Sequence, residues 1–340
     1  MEQEIKVCVY GATGYTGAEL LRILLEHPYV KIVSLTSQSY AGKRLSEVFP
    51  SFLPTSLGSM FLTTEPEEDF DIAFLCLPHE TSLELVPELL KRNKRVIDLS
   101  GAYRILDSSK YPEYYGFEHT HPELLDKAVY GLPELFRESI KTAQLVANPG
   151  CYPTATLLAL YPLLKEGIEI DFVIVDALSG VSGAGRKTSQ KFHYPEMEGD
   201  TFAYSVEKHR HTPEMEDVIQ RVYGKGVKLR FTPQVIPAVR GMMAKVYTRC
   251  EELDFVSLYK ETYEGEPFVF ISQEPPHLKH VVGTNYCLLY LHYHRETSIL
   301  EVISVIDNLG KGASSQAVQN FNLMMGFEET LALKGLATFP

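Results

Sequence analysis

The stretch that most constrains this chain is a strand running into a glycine-spaced loop and then a helix. Ile5 to Tyr10 reads as a strand and ends at Gly11-Ala12-Thr13-Gly14-Tyr15-Thr16-Gly17. A helical pattern follows to about Leu25, and Lys31 to Thr36 reads as a second strand. Glycines at such a first turn let the backbone approach a pyrophosphate, which then rests on the helix N-terminus. Phe70 to Leu77 is nearly all apolar, as expected of a strand buried on both faces. A helix from about Thr81 to Lys91 and a strand from Arg95 to Leu99 continue the pattern. In open parallel sheets ligands gather at the carboxyl ends of the strands, where Pro78, His79, Ser100 and Arg104 fall. The second strand ends in Thr36-Ser37-Gln38-Ser39-Tyr40-Ala41-Gly42-Lys43-Arg44. NAD-preferring sites place an acidic residue there; hydroxyls and two cations suit a 2′-phosphate, so NADPH is the expected cofactor. Lys43 and Arg44 also fit a plain solvated loop.

A second junction carries a thiol. Ala143 to Ala147 reads as a strand and stops at Asn148-Pro149-Gly150, and an apolar run with helical spacing starts at Ala155. Cys151 therefore sits where strand turns into helix, with Pro153 at a first-turn position where no donor is missed. Unpaired N–H groups and the positive end of the dipole favour thiolate there, which prepares a nucleophile. A small buried hydrophobe is the plain alternative.

Beyond Cys151 the pattern changes. Phe172 to Ala177 reads as a strand and precedes Ser179-Gly180-Val181-Ser182-Gly183-Ala184-Gly185-Arg186. Leu229 to Val235, Met243 to Cys250, Tyr286 to His294 and Ser298 to Ile306 read as antiparallel strands. Helices fit His211 to Tyr223, Phe255 to Tyr263 and Lys311 to Met325. The expectation is an α/β Rossmann-type domain over 1–150 and an α+β catalytic and oligomerisation domain, with a mainly antiparallel sheet, over 151–310. The last helix, within 311–340, is expected to pack back on the first domain.

Length allows two cores: the chain has 340 residues. A net charge of −12 argues against non-specific nucleic-acid binding, which needs a basic face. Five cysteines without CxxC spacing fit a reducing compartment, with Cys8, Cys76 and Cys287 in core-like runs. The charged start Met1 to Lys6 lacks a signal-peptide core, and no apolar run approaches membrane-spanning length, so the expected location is cytoplasmic.

A cysteine nucleophile calls for an acid or base nearby. Three His-x-His pairs occur: His119/His121, His209/His211 and His292/His294. The last lies in an aromatic strand and the first in a loop. The run Glu207 to Met215 is denser, with Thr212 and Pro213 reading as cap and first position of a helix. A metal reading needs further ligands, and no nearby Cys or Asp completes one. Lys208 and Arg210 add positive charge suited to an anionic substrate.

Together these residues resemble the N-acetyl-gamma-glutamyl-phosphate reductases, a branch of the aspartate-semialdehyde dehydrogenase group. The matching segments are GATGYTGAEL at 11–20, LPHE at 77–80, DLSGAYR at 98–104, YGLPEL at 130–135, NPGCYPTA at 148–155, SGVSGAGR at 179–186, HRHTPE at 209–214 and IDNLGKGA at 306–313. The resemblance implies NADPH-dependent reduction of an acyl phosphate through a Cys151 thioester, releasing inorganic phosphate and a semialdehyde. It implies His209 as the base toward the thiohemiacetal hydroxyl and His211 as a substrate-binding or positioning residue, or the two roles exchanged, with Arg104, Ser100 and Arg210 as further substrate contacts. Gly11, Thr13, Gly14, Tyr15, Thr16 and Gly17 would hold the pyrophosphate, Ser37 and Ser39 the 2′-phosphate, and Pro78, Ser179, Gly183 and Asn308 the nicotinamide side. Gly101-Ala102-Tyr103 stands where many members carry Ala-Asp-Phe, which leaves the partner of Arg104 open. A homo-oligomer, dimer or tetramer, is implied, with no membrane and no nucleic-acid partner. The aminoadipyl-phosphate reductases of lysine biosynthesis share the chemistry on a substrate one methylene longer. Two other classes are a dinucleotide sensor without chemistry, which would lack the nucleophile or base, and a metal hydrolase built on His209 and His211.

Overall fold

The computed structural model describes residues 4–338. Met1 to Gln3, within the charged start, and the last two residues of the expected 311–340 segment lie outside the described residues.

The first sheet has β1 (Ile5–Tyr10), β2 (Val30–Thr36), β3 (Leu62–Thr63), β4 (Ile72–Leu75), β5 (Arg95–Asp98), β6 (Ala128–Tyr130) and β7 (Leu145–Ala147). Their order is β3-β2-β1-β4-β5-β7-β6, and every pair is parallel. All four residues of β4 are buried, as its apolar run requires of a central parallel strand. The chain order reverses direction at β1/β4, so the switch point lies at the glycine loop.

The second sheet has β8 (Val173–Gly180), β9 (Phe202–Ala203), β10 (Leu229–Ile236), β11 (Met242–Arg249), β12 (Val269–Ile271), β13 (Cys287–His294) and β14 (Ile299–Ile306). Its order is β12-β13-β14-β11-β8-β10-β9. Four of its pairings are antiparallel, but β10 runs parallel to β8 and β12 parallel to β13. The expectation that Leu229 to Val235 is antiparallel is thus corrected for its pairing with β8. The His211–Tyr223 helix lies between the two strands in sequence, and a helical crossover returns the chain in the same direction.

The Cys151–Lys165 helix packs on the second sheet and on the His211–Tyr223 helix. It is apolar around nearly its whole circumference, because sheet and helices enclose it. The Ser315–Met325 helix packs on the Pro133–Thr142 helix and on the Tyr15–Leu24 helix of the first unit. It is preceded by a π turn at Gly310–Ser314, so the expected helix from Lys311 begins one turn wider than α. Arg240 ties the two units together: its guanidinium bonds Glu19 of the first helix at 3.1 Å and Asp307 at 2.6 Å.

Candidate active site

The Cys151–Lys165 helix begins at the cysteine itself, with Gly150 as its N-cap in extended conformation. No side chain caps it, so its first amides stay open. A cavity of about 480 Å³ opens in front of it, lined among others by Cys151, His79, Arg104, His209, Arg210 and His211. Ser179, Gly183, Asn308 and Thr16 line the same space, so residues from both ends of the chain meet there.

The two histidines reach the cavity by different routes. The helix begins at His211, one residue before the expected Thr212 cap, because the amide of Thr212 already donates to the His209 carbonyl at 2.9 Å. The amide of His211 donates to Nδ1 of His209 at 3.1 Å. In the neutral ring the proton therefore sits on Nε2. His209 is held by the edges of Tyr152, Tyr204 and Phe231, with ring centroids 5.2 to 5.7 Å away. His211 presses on Gly150: a Cβ there would lie 2.5 Å from its Nε2, so only glycine fits beside this ring. Nδ1 of His211 is buried and has no hydrogen-bond partner among the described residues.

Charge in the cavity follows burial. Desolvation, aided by the Arg210 charge, pulls the His209 imidazole down to about 3. His211 is pushed down strongly for the same reasons, with His209, Arg210, Arg104 and His79 adding repulsion. The Cys151 thiol is pushed up to about 11, chiefly by burial. The amide of Tyr152 and the charges of Arg104 and Arg210 pull it down but do not prevail. This corrects the expectation of a resting thiolate: the helix terminus acts as anticipated, and desolvation of the anion outweighs it.

Arg104 is buried and largely committed. It donates to the carbonyls of Asn148 at 2.7 Å and Leu99 at 2.8 Å, and it pairs with Glu214 at 3.3 Å. Glu214 is the partner that the Gly101-Ala102-Tyr103 segment left open. The same carboxylate accepts from Tyr130 Oη and from the amide of Gly150, both at 2.8 Å. Arg210 is exposed and has no ion pair among the described residues, which leaves it open to an anion. Ser100 lies behind the wall: its hydroxyl donates to Asp98 at 2.8 Å and accepts from the amide of Ala102. Pro78 is the exposed N-cap of the His79–Lys91 helix and lies outside the cavity lining.

Sequence reasoning passed over two side chains. His79 stands at a strand end but received no role. It lines the cavity, its Nδ1 accepts from the amide of Gly101 at 2.8 Å, and burial with Arg210 and Arg104 nearby pulls it down to about 3. Glu214 sits inside the HRHTPE segment, where nothing local marks it as buried.

The glycine loop fits a dinucleotide. Gly11 has φ +73° and a Cβ there would meet the Cys76 carbonyl oxygen at 2.2 Å; a Cβ at Gly17 would meet the Gly11 oxygen at 2.5 Å. These two glycines serve the fold. Gly14 differs: its nearest neighbour would be 3.7 Å away, so the protein itself leaves that space open. The Tyr15–Leu24 helix has no side-chain cap and no acidic residue in its first turn, which suits an anion at its N-terminus. Ser37 is buried and shares a 2.8 Å hydrogen bond with Thr13, whereas Ser39 is exposed. Among the described residues no three His, Cys, Asp or Glu side chains gather as a metal site.

Residues 6–143 match the family described as semialdehyde dehydrogenase, NAD binding domain, and residues 151–308 the semialdehyde dehydrogenase dimerisation domain. A protein from Aquifex aeolicus named N-acetyl-gamma-glutamyl-phosphate reductase is 59% identical over 340 residues, all of both chains. The chain belongs to the N-acetyl-gamma-glutamyl-phosphate reductase family. A second member, from Geobacillus stearothermophilus, is 45% identical and covers 99% of this chain and 100% of its own. Among solved structures, aspartate semialdehyde dehydrogenase II from Vibrio cholerae shares the fold with a TM-score of 0.74 at 19% identity, covering 96% of this chain and 99% of its own. The enzyme from Candida albicans, solved with NADP, gives 0.71 at 14%, covering 95% and 98%. The chain is thus an oxidoreductase of this family with a nicotinamide dinucleotide domain and a dimerisation domain.

Proposed function

We propose that the chain reduces N-acetyl-glutamyl 5-phosphate to N-acetyl-glutamate 5-semialdehyde and phosphate, as an NADPH-dependent step of arginine biosynthesis, with Cys151 as nucleophile. The observation that carries the reading is one cavity holding a helix-N-terminal thiol, three neutral imidazoles and an arginine without an ion pair among the described residues, beside a dinucleotide loop. Sγ of Cys151 attacks the acyl carbon, and the carbon–oxygen bond to the phosphoryl group breaks. The thiol proton leaves with the departing group as hydrogen phosphate, so a resting thiol needs no separate base. NADPH, when bound, supplies the hydride that reduces the thioester. The carbon–sulfur bond then breaks to give the aldehyde, and Cys151 takes up a proton.

Arg210 faces the anionic substrate, while Arg104 holds the walls through Glu214 and two carbonyls. His209 carries its proton on Nε2, which makes it a hydrogen-bond donor to the oxygen on which charge develops. A neutral imidazole N–H aimed there stabilises the transition state without giving up its proton. The expected role as base would need Nε2 bare, and the amide of His211 on Nδ1 opposes that tautomer. We assign His211 to positioning, wedged against Gly150. Gly11 to Gly17 and the helix N-terminus behind them would hold the pyrophosphate; Ser179, Gly183 and Asn308 would meet the nicotinamide half.

We take 1–150 as the dinucleotide domain, 151–310 as the catalytic domain and 311–340 as returning to the first. We further propose a homo-oligomer through the open face of the second sheet. Ile174, Leu178, Met243, Tyr247, Tyr290 and Ile303 there remain at least partly exposed. Five free cysteines support a reducing, cytoplasmic setting. Among the described residues no helix is long and apolar enough to cross a membrane.

The test is phosphate-dependent reduction of NADP⁺ with N-acetyl-glutamate 5-semialdehyde, beside the aminoadipate homologue. One methylene is worth roughly 1–3 kcal/mol in a pocket, so a preference of about tenfold or more for the glutamate compound is expected. The opposite preference removes the arginine assignment. Cys151→Ser should abolish turnover and leave NADPH affinity within about twofold, since the thiol meets substrate and not the dinucleotide phosphates.

A further inference from the structure

Arg186 ends the glycine-rich segment of the second domain, yet its side chain lies on the first. Its Nη1 donates to the carbonyl of Thr13, inside the phosphate loop, at 2.9 Å. Its guanidinium stands 4.6 Å from the ring centre of Phe49 and 5.4 Å from that of Tyr40. Lys43 lies over the same Tyr40 ring at 5.8 Å, and Arg44 over Phe61 at 5.4 Å. None of these three cations forms an ion pair among the described residues. In a chain of net charge −12, three unpaired cations around one short segment await a negative partner. The segment is the one that follows β2, where the ribose of a dinucleotide lies in this fold.

We propose that Arg186 is a cofactor-binding residue supplied across the domain boundary, and that it reads the 2′-phosphate of NADPH. Only one of its five N–H groups is used by Thr13. The two rings hold the guanidinium plane, so the remaining donors are presented in a fixed fork, the geometry that suits a phosphate monoester. Lys43 and Arg44 add charge from the other side. Ser37, expected to make this contact, already shares its hydroxyl with Thr13, which further shifts the task to Arg186.

The inference rests on the dinucleotide groove proposed above and not on Cys151 chemistry, so the probes carry no nicotinamide. Isothermal titration compares adenosine 2′,5′-bisphosphate with adenosine 5′-monophosphate. The wild type should prefer the bisphosphate by about tenfold or more, as a charge-assisted fork on a phosphate implies. Arg186→Gln keeps an N–H for the Thr13 carbonyl and loses the charge; it should cut the preference to about threefold or less, while Arg186→Lys keeps most of it. Thermal unfolding without ligand, run on each variant, shows that it is folded. A preference that survives Arg186→Gln, or equal weakening of both nucleotides, overturns the role of Arg186. A wild type that binds neither nucleotide overturns the groove itself.

Discussion

At Cys151 two fields oppose each other. The helix amides and two arginines favour the anion, and burial favours the thiol, which is held near 11. In the proposed reaction the thiol would therefore stay protonated until an acyl phosphate, which can carry away the proton, arrives. At His209 burial and the Arg210 charge act together instead, keeping the ring neutral and its Nε2–H free to serve as a donor. His209→Ala should lower kcat by roughly 10²–10³, the usual loss for one donor to a developing oxyanion. His209→Gln, which offers an amide N–H, should recover about tenfold of that loss. Equal losses in both variants, measured in steady-state kinetics, would return His209 to the role of base. The position of Cys151 was legible because strand, breaker and helix are all local. Glu214 was not, since it meets Gly150 from 64 residues away and Arg104 from 110. The thiol's protonation was not legible either, because desolvation depends on what the rest of the chain packs around it.

Strands and helices were read well where their signals are periodic. The helix expected up to Tyr223 ends there, and it begins at His211, ahead of the expected Thr212 cap. What failed was pairing: β10 alternates like an antiparallel strand, yet the helix before it imposes a parallel neighbour on one side. Short strands such as β6 and β12 carry too few residues for a pattern. The phosphate loop offers a test at this scale. Gly17→Ala puts a Cβ against backbone at 2.5 Å, and overpacking of that kind costs about 1–3 kcal/mol of stability. Gly14→Ala meets nothing closer than 3.7 Å, so its unfolding midpoint should stay that of wild type while NADPH affinity falls about tenfold. Denaturant titration and dinucleotide titration on both variants separate the two roles. Unchanged affinity in Gly14→Ala would mean that no phosphate lies over that residue.

The molecule as a whole carries several imidazoles that burial keeps uncharged. His79 and His209 are held near 3, against an ordinary 6.5. Between those values the unfolded chain binds protons that the folded one refuses, so stability falls as pH drops from about 6.5 toward 3. Each such group contributes up to about 1.4 kcal/mol per pH unit. The urea midpoint should thus be lower at pH 5 than at pH 7, and His79→Asn should flatten that slope; a slope identical to wild type would show that His79 titrates normally. Glu214 has a consequence of its own. It grips the amide one step before the sulfur, and it grows from the same helical turn as His211. Thiol and imidazole thus hang from a single buried anchor, so one carboxylate fixes where both side chains leave the backbone.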